Sequence, residues 1–203
     1  MRKIALFICG RATCYDIAFT QFLEVMKMKH IVDVYISANY YDDDLQKNIQ
    51  PVIYETKSYT LCPNLEKSLI LGKNVKSIYN ICSMYHHKKV IFEKVANDYD
   101  VYMYFRTDLK NAEKLKFPEK LKGNTVYLPD DHDCQGVNDR MAYGDYDSMS
   151  KYMNIDISKH KVVLPELILK NHLKSNGVKI ERIKWDTHLQ DRVFRRQINI
   201  LSN

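Results

Sequence analysis

The stretch Tyr99-Asp100-Val101-Tyr102-Met103-Tyr104-Phe105-Arg106-Thr107-Asp108-Leu109 decides the fold that the sequence predicts. Its segment from Val101 to Phe105 is an unbroken apolar and aromatic run, typical of a strand buried on both faces of a parallel sheet. The chain then turns polar at Arg106 and Asp108. Ligands bind at the carboxyl ends of strands in open α/β sheets, where a cation and a carboxylate can hold a phosphate and a metal ion. Most such pairs only close a strand, so this pattern alone favours neither interpretation.

Length and composition describe an ordinary globular protein. The chain has 203 residues, 45% of them hydrophobic and 28% charged, which suits one α/β core or at most two small domains. No apolar run is long enough to span a membrane. The short apolar run after Met1-Arg2-Lys3 resembles a signal peptide, but Arg11 follows where a cleavage site should lie. We interpret it as a first strand, and we expect a cytoplasmic protein.

Charge and cysteine content narrow the class of partner. The net charge of +6 is spread along the chain, which favours an anionic small molecule or an acidic surface over nucleic acid. The five cysteines are an odd number without Cys-x-x-Cys spacing. We therefore expect buried thiols in a reducing compartment rather than disulfides or a zinc site.

Apolar periodicity predicts alternating strands and helices. The expected strands are 3–9, 32–38, 51–59, 101–105, 125–128 and 178–185, and the expected helices are 15–29, 45–49, 65–71, 74–97, 110–116, 145–153 and one beginning at Pro165-Glu166. This alternation predicts an α/β fold with a mixed, mostly parallel sheet flanked by helices.

Polar residues after the first two strands are candidate ligand contacts. Gly10-Arg11 follows strand one, where a glycine permits close approach and an arginine grips a diphosphate, although a plain turn explains the pair equally well. Asn39 and Tyr40 follow the second strand. Asp42-x-Asp44 resembles a metal-binding motif, but we assign it to the start of a helix, where acidic residues favour the dipole.

Two further polar sites call for different interpretations. The segment from Pro129 to Arg140 is too polar for a core, and the apolar Met141-Ala142-Tyr143-Gly144 that follows indicates a loop held between ordered elements. Loops of this kind are solvent-exposed tips or site walls, and we favour a site wall. His86 and His87 are adjacent and face different directions on a helix, so we expect surface histidines rather than a metal site.

The order of several short motifs resembles a known family. The resemblance spans about residues 3–183 and rests on Ile-Cys-Gly-Arg at strand one, Ser83-Met84 in the long helix, Phe-Arg-Thr-Asp-Leu, Tyr-Leu-Pro-Asp-Asp-His, Gly136-x-Asn138-Asp139-Arg140, Tyr143-Gly144, Pro165-Glu166 and His172-Leu173. This pattern is similar to compact GT-A glycosyltransferases of bacteria and of large DNA viruses that glycosylate their own capsid proteins.

The resemblance implies a UDP-sugar donor, a glycan or glycoprotein acceptor, and a divalent metal, typically Mn²⁺ or else Mg²⁺. It also implies one domain over residues 1–203, with a nucleotide-binding half at about 1–110 and an acceptor-binding half at about 111–190. The residues predicted to bind the nucleotide-sugar are Asn39 and Tyr40, from their place at a strand end, together with Cys9, Gly10, Arg11, Arg106, Asp108, Asp130, Gly136 and Asn138.

The chain departs from this family at two positions. Arg106 replaces the first acid of the Asp-x-Asp element, which leaves Asp108 as the metal ligand of that turn. Leu164 stands where relatives often have a histidine before Pro-Glu. A metal-binding or phosphate-binding role of that histidine would therefore fall to His160 or His172 in this chain.

Transfer of a sugar sets the requirements for the catalytic residues. A metal ion and an arginine offset the charge on the departing diphosphate, and a carboxylate must take the proton of the attacking hydroxyl. Asp139 is the first choice for this base if the enzyme inverts, followed by Asp131 and Glu166. A structural role, in which Asp130 only stabilises the loop, also explains this residue. Tyr40 or Tyr143 could stack on uracil or sugar, with core packing the default role of a tyrosine.

Two other classes remain open. A nucleotidyltransferase would be expected to carry a glycine-rich, lysine-containing loop after strand one, whereas Gly10-Arg11-Ala12-Thr13 has one glycine and no lysine. A non-catalytic nucleotide-sugar-binding or capsid-associated module has no physical reason to keep the acid and amide cluster at 130–139.

Overall fold

The computed structural model of the protein describes residues 1–10, 17–39, 43–56, 75–107, 109, 115–131, 133, 135–157 and 164–184. Its strands are β1 (Lys3–Gly10), β2 (Ile31–Ala38), β3 (Ile53–Thr56), β4 (Val101–Phe105), β5 (Thr125–Pro129), β6 (Met141–Gly144) and β7 (Lys179–Ile183). Its helices are α1 (Ile17–Lys29), α2 (Asp43–Ile49), α3 (Val75–Phe92), α4 (Tyr146–Met153) and α5 (Pro165–Ser175). In this part of the chain, no helix has the length and apolarity that crossing a membrane requires.

The seven strands form one sheet in the order β3-β2-β1-β4-β6-β5-β7. Strand β1 pairs in parallel with β2 and β4, β2 with β3, and β5 with β7. Strand β6 pairs antiparallel with both β4 and β5, so it runs against the other six. The mixed, mostly parallel α/β sheet expected from the sequence is confirmed.

The centre of the sheet is buried on both faces, as the apolar run at β4 predicts. All five residues of Val101–Phe105 are buried, and they alternate between two apolar clusters. Met103 and Phe105 lie with α1 on one face, where Phe22 stacks on Phe105 with ring centroids 4.5 Å apart. Tyr102 and Tyr104 lie on the opposite face with residues of α3, α4 and α5.

Several boundaries differ from those expected. Helix α3 ends at Phe92 rather than at residue 97, because Lys94 and Val95 donate backbone hydrogen bonds to carbonyls only three residues back, which closes the last turn. Strands β3 and β7 are shorter than predicted within the described residues. The helix expected at 65–71 and residues 110–114 of another lie outside the described residues, and residues 115–116 are not helical.

The helix starts predicted from acidic residues and proline are confirmed. Helix α2 begins at Asp43, and α5 begins at Pro165 with Glu166 in its first turn. Asp145 caps α4 by accepting a hydrogen bond from the backbone N–H of Ser148 at 2.8 Å. Strand β6 is not among the predicted strands, because its four apolar residues are too few to show a period and follow directly on a polar loop.

Loss of the Phe22 ring tests the core between α1 and β4. Phe22 is 1% exposed and stacks on Phe105. Phe22→Ala is expected to lower the free energy of unfolding by about 3–5 kcal/mol, because it leaves a cavity in a packed core. Urea denaturation measures the change. Met28→Ala on the same helix is the control, since Met28 is 76% exposed; equal effects of the two variants would contradict this packing.

Candidate active site at the carboxyl edge of the sheet

The sheet brings the ends of several strands to one edge. Strands β1, β2 and β4 run in parallel, so Gly10, Asn39 and Arg106 all lie at or just beyond their carboxyl ends. Strand β6 runs in the opposite direction, so its first residues lie at this same edge, with Met141 opposite Phe105. The backbone N–H of Arg106 donates to the carbonyl of Arg140 at 3.1 Å. The topology therefore places the end of the 129–140 segment beside Arg106.

At the end of β2, a buried hydrogen-bond network holds Asn39. Its side-chain Oδ1 lies 2.9 Å from the Ser83 hydroxyl, which donates to it, and 2.8 Å from Nε2 of His87. The other ring nitrogen, Nδ1 of His87, lies 2.8 Å from the Ser37 hydroxyl. Ser37 and His87 are fully buried, and Ser83 is 2% exposed. The prediction that both histidines of α3 are surface residues is therefore wrong for His87.

The amide of Asn39 has a defined orientation in this network. Ser83 and His87 both contact the Oδ1 atom of Asn39. Among the described residues, none forms a hydrogen bond with its Nδ2 atom. When His87 carries its proton on Nε2, that nitrogen donates to Oδ1 and Nδ1 accepts from Ser37. The two donor hydrogens of Asn39 are then left for an acceptor that the network does not supply.

The described residues of the polar segment 129–140 form an ordered wall rather than a solvent-exposed tip. Asn138 is fully buried, and its Nδ2 donates to the carbonyl of Asp131 at 2.9 Å and to the Asp131 side chain at 2.8 Å. Its Oδ1 accepts from the backbone N–H of Arg140 at 2.8 Å. Asp133 accepts from the backbone N–H of Asn138 at 3.0 Å and from Arg182 of β7 at 2.5 Å. These bonds give Asn138 and Asp133 structural roles.

Gly136 joins this segment to the first turn of α5. A Cβ at Gly136 would lie 2.0 Å from the carbonyl carbon and oxygen of Glu166 and 2.4 Å from the backbone nitrogen of Leu167. The next residue, Val137, donates its N–H to the Glu166 carbonyl at 3.1 Å. Only a residue without a side chain fits this approach, so the backbone of Glu166 and the segment containing Asp139 are held together.

Among the acids of this edge, Asp139 has a distinctive environment. It is 6% exposed, yet no other described residue donates a hydrogen bond to its carboxylate or forms an ion pair with it. The carboxylate of Asp131 accepts a bond from Asn138, whereas Asp130 is exposed. A buried carboxylate without an internal partner has its oxygens available to a ligand.

A fully buried cation, which is not among the site residues predicted from the sequence, is linked to Asp139 through Tyr152. Lys88 of α3 is 0% exposed. Its Nζ lies 3.9 Å from the ring centroid of Tyr104, 4.6 Å from that of Tyr152 and 5.3 Å from that of Tyr85. Burial lowers the pKa of Lys88 to about 8, opposed by attraction to Asp139 and Cys9. The only sequence signal was its position on a helix with an apolar stripe.

The remaining predicted site residues fall into two groups. Cys9 ends β1 beside Gly10, is partly buried, and has its pKa raised to about 12 by burial, so its thiol is neutral. Arg11, Tyr40 and Asp108 lie outside the described residues.

Tyr143 and His172 have structural contacts. Tyr143 is fully buried and stacks on Tyr127, with ring centroids 4.8 Å apart, so core packing is its role. Nε2 of His172 lies 2.9 Å from the carbonyl oxygen of Lys151 in α4. The other histidine considered as a substitute at Leu164, His160, lies outside the described residues.

The described residues contain no group of three or more histidine, cysteine, aspartate or glutamate side chains placed to hold an ion. Asp108, the metal ligand that the resemblance implies, lies outside the described residues.

Comparisons with known proteins support the fold. No protein-family model matches the chain, and no curated protein matches its sequence. A crystal structure of a mutant Drosophila β1,4-galactosyltransferase 7 with manganese, UDP-Gal and xylobiose aligns with a TM-score of 0.51 and 12% identity, over 100% of this chain and 80% of that one. At this identity the likeness shows a shared fold, which is the GT-A-like architecture.

Two further glycosyltransferase structures align less closely. GlyE of Streptococcus pneumoniae aligns with a TM-score of 0.47 and 10% identity, over 90% of this chain and 45% of that one. Mouse xyloside xylosyltransferase 1 aligns with a TM-score of 0.45 and 7% identity, over 89% of this chain and 85% of that one.

The contact between Gly136 and α5 predicts that a single methyl group added at Gly136 lowers the stability of the protein. Gly136→Ala is expected to lower the free energy of unfolding by about 1–3 kcal/mol, because the new Cβ overlaps backbone atoms that cannot move independently. Denaturant unfolding of this variant and of Gly123→Ala provides the comparison. A Cβ at Gly123 meets only Asp145 at 3.9 Å, an ordinary contact, so equal stabilities of the two variants would contradict the close approach.

Burial of Lys88 predicts a pH dependence of stability. Its pKa falls from 10.5 to about 8 on folding, so between these values the unfolded chain binds more protons than the folded one. Stability therefore rises with pH across this window, by up to about 3 kcal/mol from this group.

Lys88→Met isolates this contribution. We expect the variant to be more stable than the parent near pH 7 and to lose its advantage by about pH 10, because its side chain has no charge to bury. Thermal or urea unfolding at several pH values measures the difference. Lys89→Met is the control, since the Lys89 side chain is 57% exposed. If the stabilities of the parent and of Lys88→Met changed with pH in parallel, Lys88 would not be buried as an ammonium group.

Proposed function

We propose that the protein is a glycosyltransferase that moves a hexose from a UDP-sugar to a hydroxyl group of a glycan or glycoprotein, assisted by Mn²⁺ or Mg²⁺. The observation that supports this most strongly is the meeting, at one sheet edge, of a cation at the end of β4 and a buried carboxylate to which no described residue bonds. These are Arg106 and Asp139, and the backbone bond from Arg106 to Arg140 joins their segments.

The proposed reaction breaks the bond between the anomeric carbon and the diphosphate oxygen, whose electron pair leaves with UDP. The acceptor oxygen forms the new bond to that carbon. Arg106, partly exposed at the end of β4, is proposed to bind the departing diphosphate and offset its charge. A divalent ion, when bound, would supply further positive charge there. We propose Asp108 as its protein ligand.

The proton of the acceptor hydroxyl is proposed to pass to the carboxylate of Asp139, if the reaction inverts the anomeric centre. A general base must hold a free oxygen within hydrogen-bond reach of its substrate. Asp139 meets the first requirement, because no described residue bonds to its carboxylate. Asp131 already accepts a bond from Asn138, and Glu166 lies in the first turn of α5, so these two remain the second and third candidates.

The ends of β1 and β2 are proposed to bind the nucleotide. Gly10 and Ala38 are paired in register, so Asn39 lies beside the end of β1. Asn39 is held through Oδ1 by Ser83 and His87, which leaves its NH₂ group to donate to the nucleotide. Cys9, Arg11 and Tyr40 are proposed to complete this side of the site.

The other half of the edge is proposed to face the donor sugar and the acceptor. Asp130 is exposed at the end of β5, whereas Gly136 and Asn138 shape the wall from within. We propose that Asp130 contacts the nucleotide-sugar directly, whereas Gly136 and Asn138 act on it by shaping this wall. We also propose that residues 1–203 form one domain, with the nucleotide-binding half at about 1–110 and the acceptor-binding half at about 111–190.

Donor hydrolysis tests this proposal directly. The protein is incubated with a panel of UDP- and GDP-sugars, with and without Mn²⁺, and release of the nucleoside diphosphate is measured. We expect slow hydrolysis of at least one UDP-hexose that requires the metal. Asp108→Ala and Asp139→Asn are each expected to lower the rate by about 10²-fold or more, the usual range for loss of a catalytic group.

The control for these variants is Asp147→Asn, which removes an exposed acid from the first turn of α4. It is expected to retain the parent rate. Loss of activity in Asp108→Ala but not in Asp139→Asn would remove Asp139 as the base. Thermal stabilisation by UDP without turnover of any donor would instead favour a non-catalytic binding module, and no response to any nucleotide would contradict the proposal as a whole.

A further inference from the structure

Lys88 has an unusual environment for a lysine. The side chain is fully buried. Among the described residues, no carboxylate is close enough to its Nζ, at roughly 4 Å or less, to form an ion pair. Three tyrosine rings surround its Nζ instead, the nearest being Tyr104 at 3.9 Å. Cation–π contacts compensate only part of the cost of burying an ammonium group. This residue lowers stability where an apolar side chain would fit, which points to a role other than folding.

Two of these tyrosines connect Lys88 to the candidate site. Nζ of Lys88 donates to the Tyr152 hydroxyl at 3.3 Å, and that hydroxyl donates to the backbone carbonyl of Asp139 at 3.5 Å. The Tyr85 hydroxyl donates to the carbonyl of Pro165 at 2.9 Å, beside Glu166. Burial raises the pKa of both Tyr85 and Tyr152 well above the ordinary value, and the charge of Asp139 adds to this, so both hydroxyls keep their protons and act as donors.

The charged groups that face Lys88 all lie at the same sheet edge. Asp139 attracts its ammonium group, as does Cys9 when ionised, and Arg106 repels it. Tyr85, Tyr104 and Tyr152 complete its surroundings as neutral rings. Among the described residues, Asp139 is thus the carboxylate whose charge acts on Lys88, and none of these residues bonds directly to its oxygens.

We propose that Lys88 is a positioning residue of the active site: it fixes the backbone of Asp139 through Tyr152, and its buried charge balances the Asp139 carboxylate without occupying that group's oxygens. A direct ion pair would hold those oxygens, and a proton acceptor must have them free for its substrate. Lys88 balances the charge of the Asp139 carboxylate from a distance and leaves the oxygens of that carboxylate free for the substrate. This inference rests on the proposed transferase function, in which Asp139 is the base.

The proposal has a consequence for the pH dependence of the reaction. Burial lowers the pKa of Lys88 to about 8, and Arg106 lowers it further, whereas Asp139 and Cys9 oppose the change. Above this pH, Lys88 loses its charge while the other members of the site remain in place. The rate of transfer should therefore fall as Lys88 deprotonates.

The kinetic test compares Lys88→Met with Lys89→Met, using UDP-glucose and UDP-galactose as donors between about pH 6 and 9.5. The parent rate is expected to fall above about pH 8. Lys88→Met is expected to lack this limb, with kcat about tenfold below the parent at pH 7 and KM for the donor nearly unchanged. Lys89→Met removes a positive charge from the exposed neighbouring position and is expected to match the parent.

Tyr152→Phe separates the charge of Lys88 from the hydrogen-bond link. This variant keeps the ring beside Nζ but removes the hydroxyl that bonds to the Asp139 carbonyl. It is expected to lower kcat, but its rate should still fall above about pH 8, as the parent rate does. A Lys88→Met variant with the kcat and the pH profile of the parent would overturn the proposal.

A titration without turnover distinguishes this inference from the proposed function. The ¹³Cε resonance of Lys88 is followed by NMR in the parent, in Asp139→Asn and in the control Asp147→Asn. Loss of the attracting carboxylate is expected to lower the midpoint for Lys88 measurably in Asp139→Asn only. An unchanged midpoint in a parent that transfers sugar would overturn the role of Lys88 and leave the function intact. A coupled titration in a parent that turns over no donor would overturn the function, and with it the positioning role.

Discussion

The antiparallel pairing of β6 with β4 is the constraint on which the candidate site depends. A sheet with parallel strands alone would carry the segment before β6 to the opposite edge. Because β6 runs against its neighbours, Met141 lies opposite Phe105 and the carbonyl of Arg140 accepts a bond from Arg106. The pairing brings together two segments that are about 35 residues apart in sequence and places their polar side chains at the edge where β1 and β2 also end.

Packing against the helices then fixes the geometry of that edge. The wall formed by residues 129–140 is held by Asn138 from within and by Gly136 against α5, so Asp139 lies on a rigid support. Below it, α3 and α4 supply Lys88 and Tyr152. Burying an ammonium and a carboxylate without direct contact lowers stability. The same arrangement leaves the Asp139 carboxylate surrounded by fixed groups, which is what its proposed role as a base requires.

The sequence predicts most of the fold because its strongest patterns are local. The apolar run 101–105 and the helix starts at Asp145 and Pro165 need no knowledge of distant residues. Strand β6 has only four residues and ends in glycine, so its pairing with two distant strands is not visible in local periodicity. Strand-end position predicts site roles for Asn39 and Arg106, and the family resemblance predicts one for Asp139; these roles stay predictions. His87 and Lys88 were missed because α3 packs on both the sheet and α4, and their polar groups find tertiary partners there.

The central claim is that a nucleotide-sugar binds at the carboxyl edge of the sheet, with its diphosphate at Arg106 and its sugar facing Asp139. A crystal structure of the protein with an unhydrolysed UDP-hexose and Mn²⁺ tests it most directly. The account predicts the diphosphate in contact with the guanidinium of Arg106, and the anomeric carbon on the side of the Asp139 carboxylate. A nucleotide bound away from the ends of β1, β2 and β4, or an Asp139 carboxylate shielded from the sugar, would contradict it.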